Sequence, residues 1–168
     1  MKKVSNRLNR LAESATLAMA RMSRELQAKG IDVINLSLGE PDFDTPDFIK
    51  EAAKKAIDNN FSHYTPVPGL PELRNAIAKK FKRDNNLEYT ADQIVTSTGA
   101  KQSLANVCLS LLNPGDEVLL PCPYWVSYAE IIKLAEGVPV ELPSTIDSDF
   151  KVAPEELEAA ITPKTKLL

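Results

Sequence analysis

The chain has one histidine, one tryptophan and two cysteines in 168 residues, and its six glycines (30, 39, 69, 99, 115 and 137) all stand apart. Each scarcity closes a class of function. One histidine and two dispersed cysteines, Cys108 and Cys122, argue against a zinc site. The same two cysteines read as reduced thiols of a cytosolic protein, not as a disulfide framework. Isolated glycines exclude the three-glycine fingerprint of a dinucleotide site. A P-loop fails as well, because Ile94 stands where a glycine is needed and Lys101 follows Ala100. There is no run of 18 apolar residues, so no membrane-spanning helix is expected. The opening Met1-Lys-Lys-Val-Ser-Asn-Arg7 turns polar too early for a signal peptide. Net charge is -3 with the signs interspersed, so there is no basic stripe for nucleic acid and no acidic tail for a charge-driven partner.

What is present fits a soluble globular protein with a real core, at 43% hydrophobic and 26% charged residues. The most informative segment is Ile94 to Ser103. Ile94, Val95 and Thr96 read as a short strand. Ser97-Thr98-Gly99 turns the chain. A helix pattern then begins, with Ala100, Leu104, Val107 and Leu111 on one face and Cys108 and Leu112 beside them. The first amides of such a helix lack intrahelical partners and lie at its positive end, which makes an anion site, most often for a phosphate. On these residues alone a Ser-Thr-Gly junction serves equally well to cap a helix.

The remaining pattern is read in order. Residues 1–14 form a polar arm or fraying helix. Ala15 to Lys29 is a helix closed by Gly30. Ile31 to Leu36 alternates like a strand. Thr45 caps a helix that has Pro46 at its first position and ends near Asn59. Tyr64 to Pro71 is a stiff loop that holds three prolines and one glycine, and its closing Pro71 opens another helix. The lysines and arginine at 79, 80, 82 and 83 read as its solvated face. Asn113 to Asp116 is a turn, Glu117 to Leu120 a strand, Ser127 to Leu134 a helix, Val138 to Leu142 a strand, and Ser144 to Asp149 a polar loop. Pro154 to Ile161 is a short helix, and Thr165 to Leu168 begins a strand. Alternating strands and helices predict an α/β fold with a mostly parallel sheet flanked by helices. The Ser97–Lys101 turn is expected at the sheet's carboxyl edge. The apolar start at Thr165–Leu168 gives the expectation that these residues are the front part of a longer protein.

Several motifs stand in a fixed order. They are Ser14-Ala-Thr16, Leu38-Gly-Glu-Pro-Asp-Phe43, His63-Tyr-Thr-Pro-Val-Pro-Gly-Leu-Pro-Glu-Leu-Arg74, and Ser97-Thr-Gly-Ala-Lys-Gln-Ser103 with Pro121-Cys-Pro-Tyr-Trp-Val-Ser-Tyr128 downstream. With Asn113-Pro-Gly-Asp-Glu-Val118 and Ile161-Thr-Pro-Lys-Thr-Lys166, the set closely resembles the bacterial class I aspartate aminotransferases, pyridoxal-phosphate enzymes of fold type I. Each motif is weak singly, and the ordered set is specific. The resemblance implies residues 1–45 as an N-terminal arm and small-domain segment, and residues 46–168 as the first part of the pyridoxal-phosphate-binding large domain, truncated at Leu168.

The resemblance also implies roles. The amides of Gly99, Ala100 and Lys101 hold the cofactor phosphate, Trp125 lies over the pyridine ring, and Tyr64 reaches the phosphate in the other subunit of a homodimer. The Gly39 amide meets the substrate α-carboxylate. Ser14, Thr16 and Lys101 receive the side-chain carboxylate of aspartate or glutamate, a task a flexible cation suits. Taken without the resemblance, Trp125 reads as a core aromatic, Tyr64 as loop packing and Lys101 as a surface residue. The Schiff-base lysine is expected beyond residue 168, so no catalytic residue is assigned and the chain alone is expected to be inactive. The implied parent activity moves an amino group from aspartate to 2-oxoglutarate in the cytoplasm, with amino-acid and 2-oxo-acid substrates. Alternatives are a broad-specificity or aromatic aminotransferase, a pyridoxal-phosphate lyase, or a non-catalytic aminotransferase-like module. Relatives that accept prephenate carry a basic residue where this chain has Ala12, which argues against prephenate, while nearby Arg10 keeps the question open.

Overall fold

The computed structural model describes residues 4–37 and 39–168. Contacts divide the chain into two units, residues 39–98 and the remainder.

In the larger unit, three parallel strands lie in the order β2-β1-β3, with β1 at Glu117–Pro121, β2 at Val138–Leu142 and β3 at Thr165–Leu167. Glu117 pairs with Val138 and Pro121 with Leu142, while the β1–β3 register shifts between Glu117 and Val118. The expected parallel sheet is therefore present. Its central strand is a continuous apolar run, as a strand covered on both faces requires: Val118, Leu119 and Leu120 are all buried. Val118 and Leu120 join Cys108, Leu112, Ala129, Ile132 and Ala135 in one cluster. Strand alternation puts Leu119 on the opposite face.

Four helices accompany the sheet: α1 (Ala15–Ala28), α4 (Ala100–Leu111), α5 (Ser127–Leu134) and α6 (Pro154–Ala160). Helix α1 ends as its Gly30 predicts: the Gly30 amide donates to Gln27 at 2.9 Å and the Ile31 amide to Leu26 at 3.2 Å, a paired closure of the last carbonyls. The 113–116 turn holds itself together, the Asn113 amide donating to the Asp116 carboxylate at 2.8 Å. The Val138 amide donates to the Asp116 carbonyl at 2.8 Å, fixing where β2 starts.

The smaller unit contains α2 (Asp47–Asp58) and α3 (Pro71–Asn85). Pro71 opens α3 as expected. Phe81 packs edge-on against Tyr89, with ring centroids 5.9 Å apart. The basic run faces solvent, where Lys80 and Arg83 pair with Asp84. Arg74 donates to the Ala91 carbonyl at 2.9 Å, tying a short helical turn at Ala91–Gln93 to α3. The Thr96 amide donates to the Pro68 carbonyl at 3.0 Å and its hydroxyl to the same oxygen at 3.2 Å. Gly69, at φ +100°, lets the two segments touch, because a Cβ there would fall 2.1 Å from the Thr96 hydroxyl oxygen.

Four local expectations are corrected. Ile31 to Leu36 forms no strand, and Ile34 and Leu36 are exposed, since no neighbour supplies ladder hydrogen bonds. Leu38 itself lies outside the described residues. Ile94 to Thr96 is likewise not a strand, because Thr96 bonds to Pro68 instead, so the turn after it does not follow a sheet strand. Pro46, not Thr45, is the cap of α2, its carbonyl accepting from the amides of Ile49 and Lys50. Of the apolar face expected on α4, Cys108 and the following Leu112 are buried, while Leu104, Val107 and Leu111 stay exposed. Among the described residues no helix is long and apolar enough to cross a membrane.

Candidate functional site

Helix α4 starts on Gly99, whose φ of +83° and ψ of 162° lie in a region that glycine alone occupies without strain. Gly99 brings no capping side chain. The amides of Gln102 and Ser103 turn back onto the Gly99 carbonyl at 3.1 and 3.4 Å. Gly99, Ala100 and Lys101 are exposed, and a Cβ built on Gly99 meets nothing within 4 Å. The start of α4 is thus an open, positively polarised helix end with room beside it. A phosphate group fits this donor set.

Trp125 follows β1 after three intervening residues and precedes α5. Its carbonyl accepts from the Tyr128 amide at 2.9 Å, which starts that helix. The Lys101 ammonium lies 5.2 Å from the centroid of the Trp125 ring. Two residues that stand 24 positions apart are therefore brought together beside the helix end. The contact is a cation over an aromatic face, worth roughly 0.5–1 kcal/mol where water has access. Trp125 is 42% exposed, so it is not a core aromatic. It also helps line an apolar hollow of about 490 Å³ with Leu104, Val107, Tyr128 and Leu167, and none of residues 99–101 lines that hollow.

The loop before Trp125 is fastened to the end of β2. The Cys122 amide donates to Leu142 at 2.9 Å. The Ser144 hydroxyl donates to the Cys122 carbonyl, and the Tyr124 hydroxyl donates to Glu141. That last bond, with some burial, pushes the Tyr124 hydroxyl up to about 12. No sequence periodicity marks these partners, which lie 17 to 22 residues apart.

Ser14 caps α1, accepting from the Leu17 amide at 3.5 Å, and Thr16 lies half-buried in the first turn. The arm before them is held on α5. The Ala12 amide donates to Glu130 at 2.9 Å, and Arg7 and Arg10 approach Glu136 at 4.0 and 3.7 Å. Lys133, and after it the Ala12 amide, hold the Glu130 carboxyl below its usual range against the opposing effect of desolvation. Gly39 and Tyr64 belong to the smaller unit. Both are exposed, and Tyr64 stands wholly in solvent on the loop that Gly69 and Thr96 anchor.

Comparison with known proteins gives this geometry its class. The family described as aminotransferase class I and II matches residues 31–168, and the chain belongs to that family. An aspartate/prephenate aminotransferase of Cereibacter sphaeroides is 53% identical over 97% of this chain and 41% of its own length. The crystal structure of the aspartate aminotransferase from Rhizobium meliloti superposes with a TM-score of 0.94 at 43% identity, covering 98% of this chain and 41% of that one. The Thermus thermophilus aspartate aminotransferase with maleate gives a TM-score of 0.93 at 43% identity, covering 99% and 44%. The chain spans about two fifths of the length of the relatives it matches.

Proposed function

We propose that this chain is the N-terminal part of a cytoplasmic aspartate aminotransferase that uses pyridoxal phosphate and passes the amino group to 2-oxoglutarate. The observation that carries the reading is the open start of α4 at Gly99 with the Lys101 ammonium 5.2 Å from the Trp125 ring. Family membership and the printed activities of the relatives support it.

In this reading the amides of Gly99, Ala100 and Lys101 bind the cofactor phosphate. Trp125 covers one face of the pyridine ring, orienting it and excluding water. Bound there, the cofactor supplies an electron sink for the charge left when a proton leaves the substrate Cα. Tyr64 serves the phosphate of the partner subunit in a homodimer, for which its full exposure is suited. The Gly39 amide meets the substrate α-carboxylate. Lys101, Ser14 and Thr16, with Trp125 alongside, receive the distal carboxylate. The maleate, a dicarboxylate, in the Thermus thermophilus relative supports a substrate with two carboxylates. Residues 1–45 are assigned to the arm and small domain and residues 46–168 to the large domain. Lys101 belongs to the phosphate turn and is not the lysine that bonds the cofactor.

A second reading, prephenate as amino acceptor, is favoured by the names of the relatives. Against it stand Ala12, which brings no charge, and the pairing of Arg10 with Glu136. The test is full-length protein assayed with aspartate and either 2-oxoglutarate or prephenate. Oxaloacetate formation with 2-oxoglutarate is the expected result. Turnover confined to aromatic amino acids, or none with any amino acid in the presence of cofactor, would overturn it.

A further inference from the structure

Trp125 is held by its neighbours in the chain. Trp125 is 42% exposed, so packing alone does not fix its orientation. Immediately before it, the Tyr124 hydroxyl donates to Glu141 on β2. Two residues further back, Cys122 is gripped from both sides of its peptide, by the Leu142 carbonyl at its amide and by the Ser144 hydroxyl at its carbonyl. The loop is thereby fastened at two points to one strand end and the residues leaving it. A regular strand is a stiffer support than a second loop.

We propose that Glu141, acting through the Tyr124 hydroxyl, and Ser144, acting through the Cys122 carbonyl, are positioning residues for the Trp125 indole. The functional side of this rests on Trp125 being the lid of the cofactor site. The structural side does not. Glu141 sits on a sheet edge where a carboxylate has no packing role, and the bond it accepts joins a neutral donor to a charged acceptor, the stronger kind. An indole that must cover a ring needs its orientation kept within fractions of an ångström. Loss of either fastening frees the loop on the side away from α5, because the Trp125 carbonyl remains bonded to the Tyr128 amide.

Trp125 is the sole tryptophan of the chain, so quenching of its fluorescence by acrylamide reports on this one ring. Tyr124→Phe and Glu141→Leu are each expected to raise the quenching constant by about twofold or more, the scale on which losing such a bond shifts a local equilibrium. Glu141→Gln keeps an acceptor oxygen, though in a weaker neutral bond, and recovers most of the wild-type value. Ser144→Ala gives a smaller rise. Unchanged quenching in Tyr124→Phe and Glu141→Leu, with unchanged far-UV circular dichroism, would overturn the proposal, as would Glu141→Gln behaving like Glu141→Leu. If Glu141→Leu does not fold, Tyr124→Phe decides, since it removes a single oxygen. In the full-length protein the same variants are expected to weaken cofactor affinity several-fold, with Glu141→Gln again recovering most of it. Absence of cofactor binding in the wild-type protein sinks the lid reading. Cofactor binding in the wild type, with the variants unaffected in quenching, sinks only the positioning role.

Discussion

Replacing Gly69 by alanine is expected to destabilise the protein by about 3 kcal/mol, and the structure says where the cost arises. Gly69 has φ +100°, outside the range an L side chain accepts without strain, which costs about 1–3 kcal/mol. The new methyl would lie 2.1 Å from the Thr96 hydroxyl oxygen, 3.0 Å from its Cγ2 and 3.1 Å from its Cβ. Forcing atoms into a packed contact of that kind costs about 1–3 kcal/mol. Thr96 cannot swing aside freely, because its hydroxyl and amide both bond to the Pro68 carbonyl. Reduced freedom of the unfolded chain returns about 0.4–1 kcal/mol. Urea unfolding followed by circular dichroism measures the sum as a shift of the midpoint at constant slope. Thr96→Ala alone loses one hydroxyl bond, about 1 kcal/mol. The double variant should be less destabilised than the two singles added together, by about 1–2 kcal/mol, since the two closest clashing atoms are gone. A Gly69→Ala protein within about 0.5 kcal/mol of wild type, or strict additivity, would refute the account.

On the proposed function, Lys101→Met in the full-length protein should raise KM for aspartate about tenfold or more, as loss of a charged hydrogen-bond partner does, with a smaller effect on substrates lacking a second carboxylate. Steady-state kinetics on paired substrates checks this. Ile132→Ala should cost about 2–5 kcal/mol, because that side chain is 3% exposed at the centre of the cluster under β1, and the unfolding midpoint measures it. The Tyr124 hydroxyl is raised from 10.0 to about 12, first by its bond to Glu141, then by burial and by the negative charges of Glu141, Cys122 and Glu130. The folded state therefore keeps this proton longer than the unfolded state. Its contribution to stability is complete below pH 10 and is lost between pH 10 and about 12, a limb that Tyr124→Phe should flatten in unfolding measured against pH.

Elements governed by local chemistry were legible in the residues themselves. Helix α5 and strand β2 occupy the expected bounds because Gly137 and the proline-rich entry to α5 break the chain on either side of clear apolar patterns. Elements that depend on a distant partner were not. Ile31 to Leu36 and Ile94 to Thr96 carry strand-like residues, yet a strand exists only where a neighbouring backbone completes it, and Thr96 finds Pro68 instead. The apolar face expected on α4 is buried only at Cys108 and the following Leu112, because periodicity does not say what covers a face, and Leu104, Val107 and Leu111 remain exposed. The site divides in the same way. The helix start at Gly99 reads locally as either an anion site or a cap, and the proposed roles of Trp125 and Lys101 came from the resemblance carried by the ordered motifs. The grip of Glu141 and Ser144 on the Trp125 loop has no sequence signature, because nothing in a polar residue 17 or 22 positions away marks it as a partner.

How tightly the chain by itself should hold the cofactor can be bounded from the groups it contributes. A helix end beside a phosphate is worth up to about 2 kcal/mol. An aromatic face against the pyridine ring adds about 0.5–1.5 kcal/mol. The sum, about 3 kcal/mol, falls short of the 4.1 kcal/mol that corresponds to a dissociation constant of about 1 mM. Tyr64 adds nothing in a monomer, because its proposed role is toward the partner subunit. The chain alone is therefore expected to bind weaker than about 1 mM. Equilibrium dialysis with pyridoxine phosphate tests this without interference, since that compound has no aldehyde to react with surface lysines. Micromolar binding corresponds to about 8.2 kcal/mol, and so would leave about 5 kcal/mol that a helix end and an indole do not supply. That result would mean the 168 residues hold the cofactor by contacts other than those around Gly99 and Trp125.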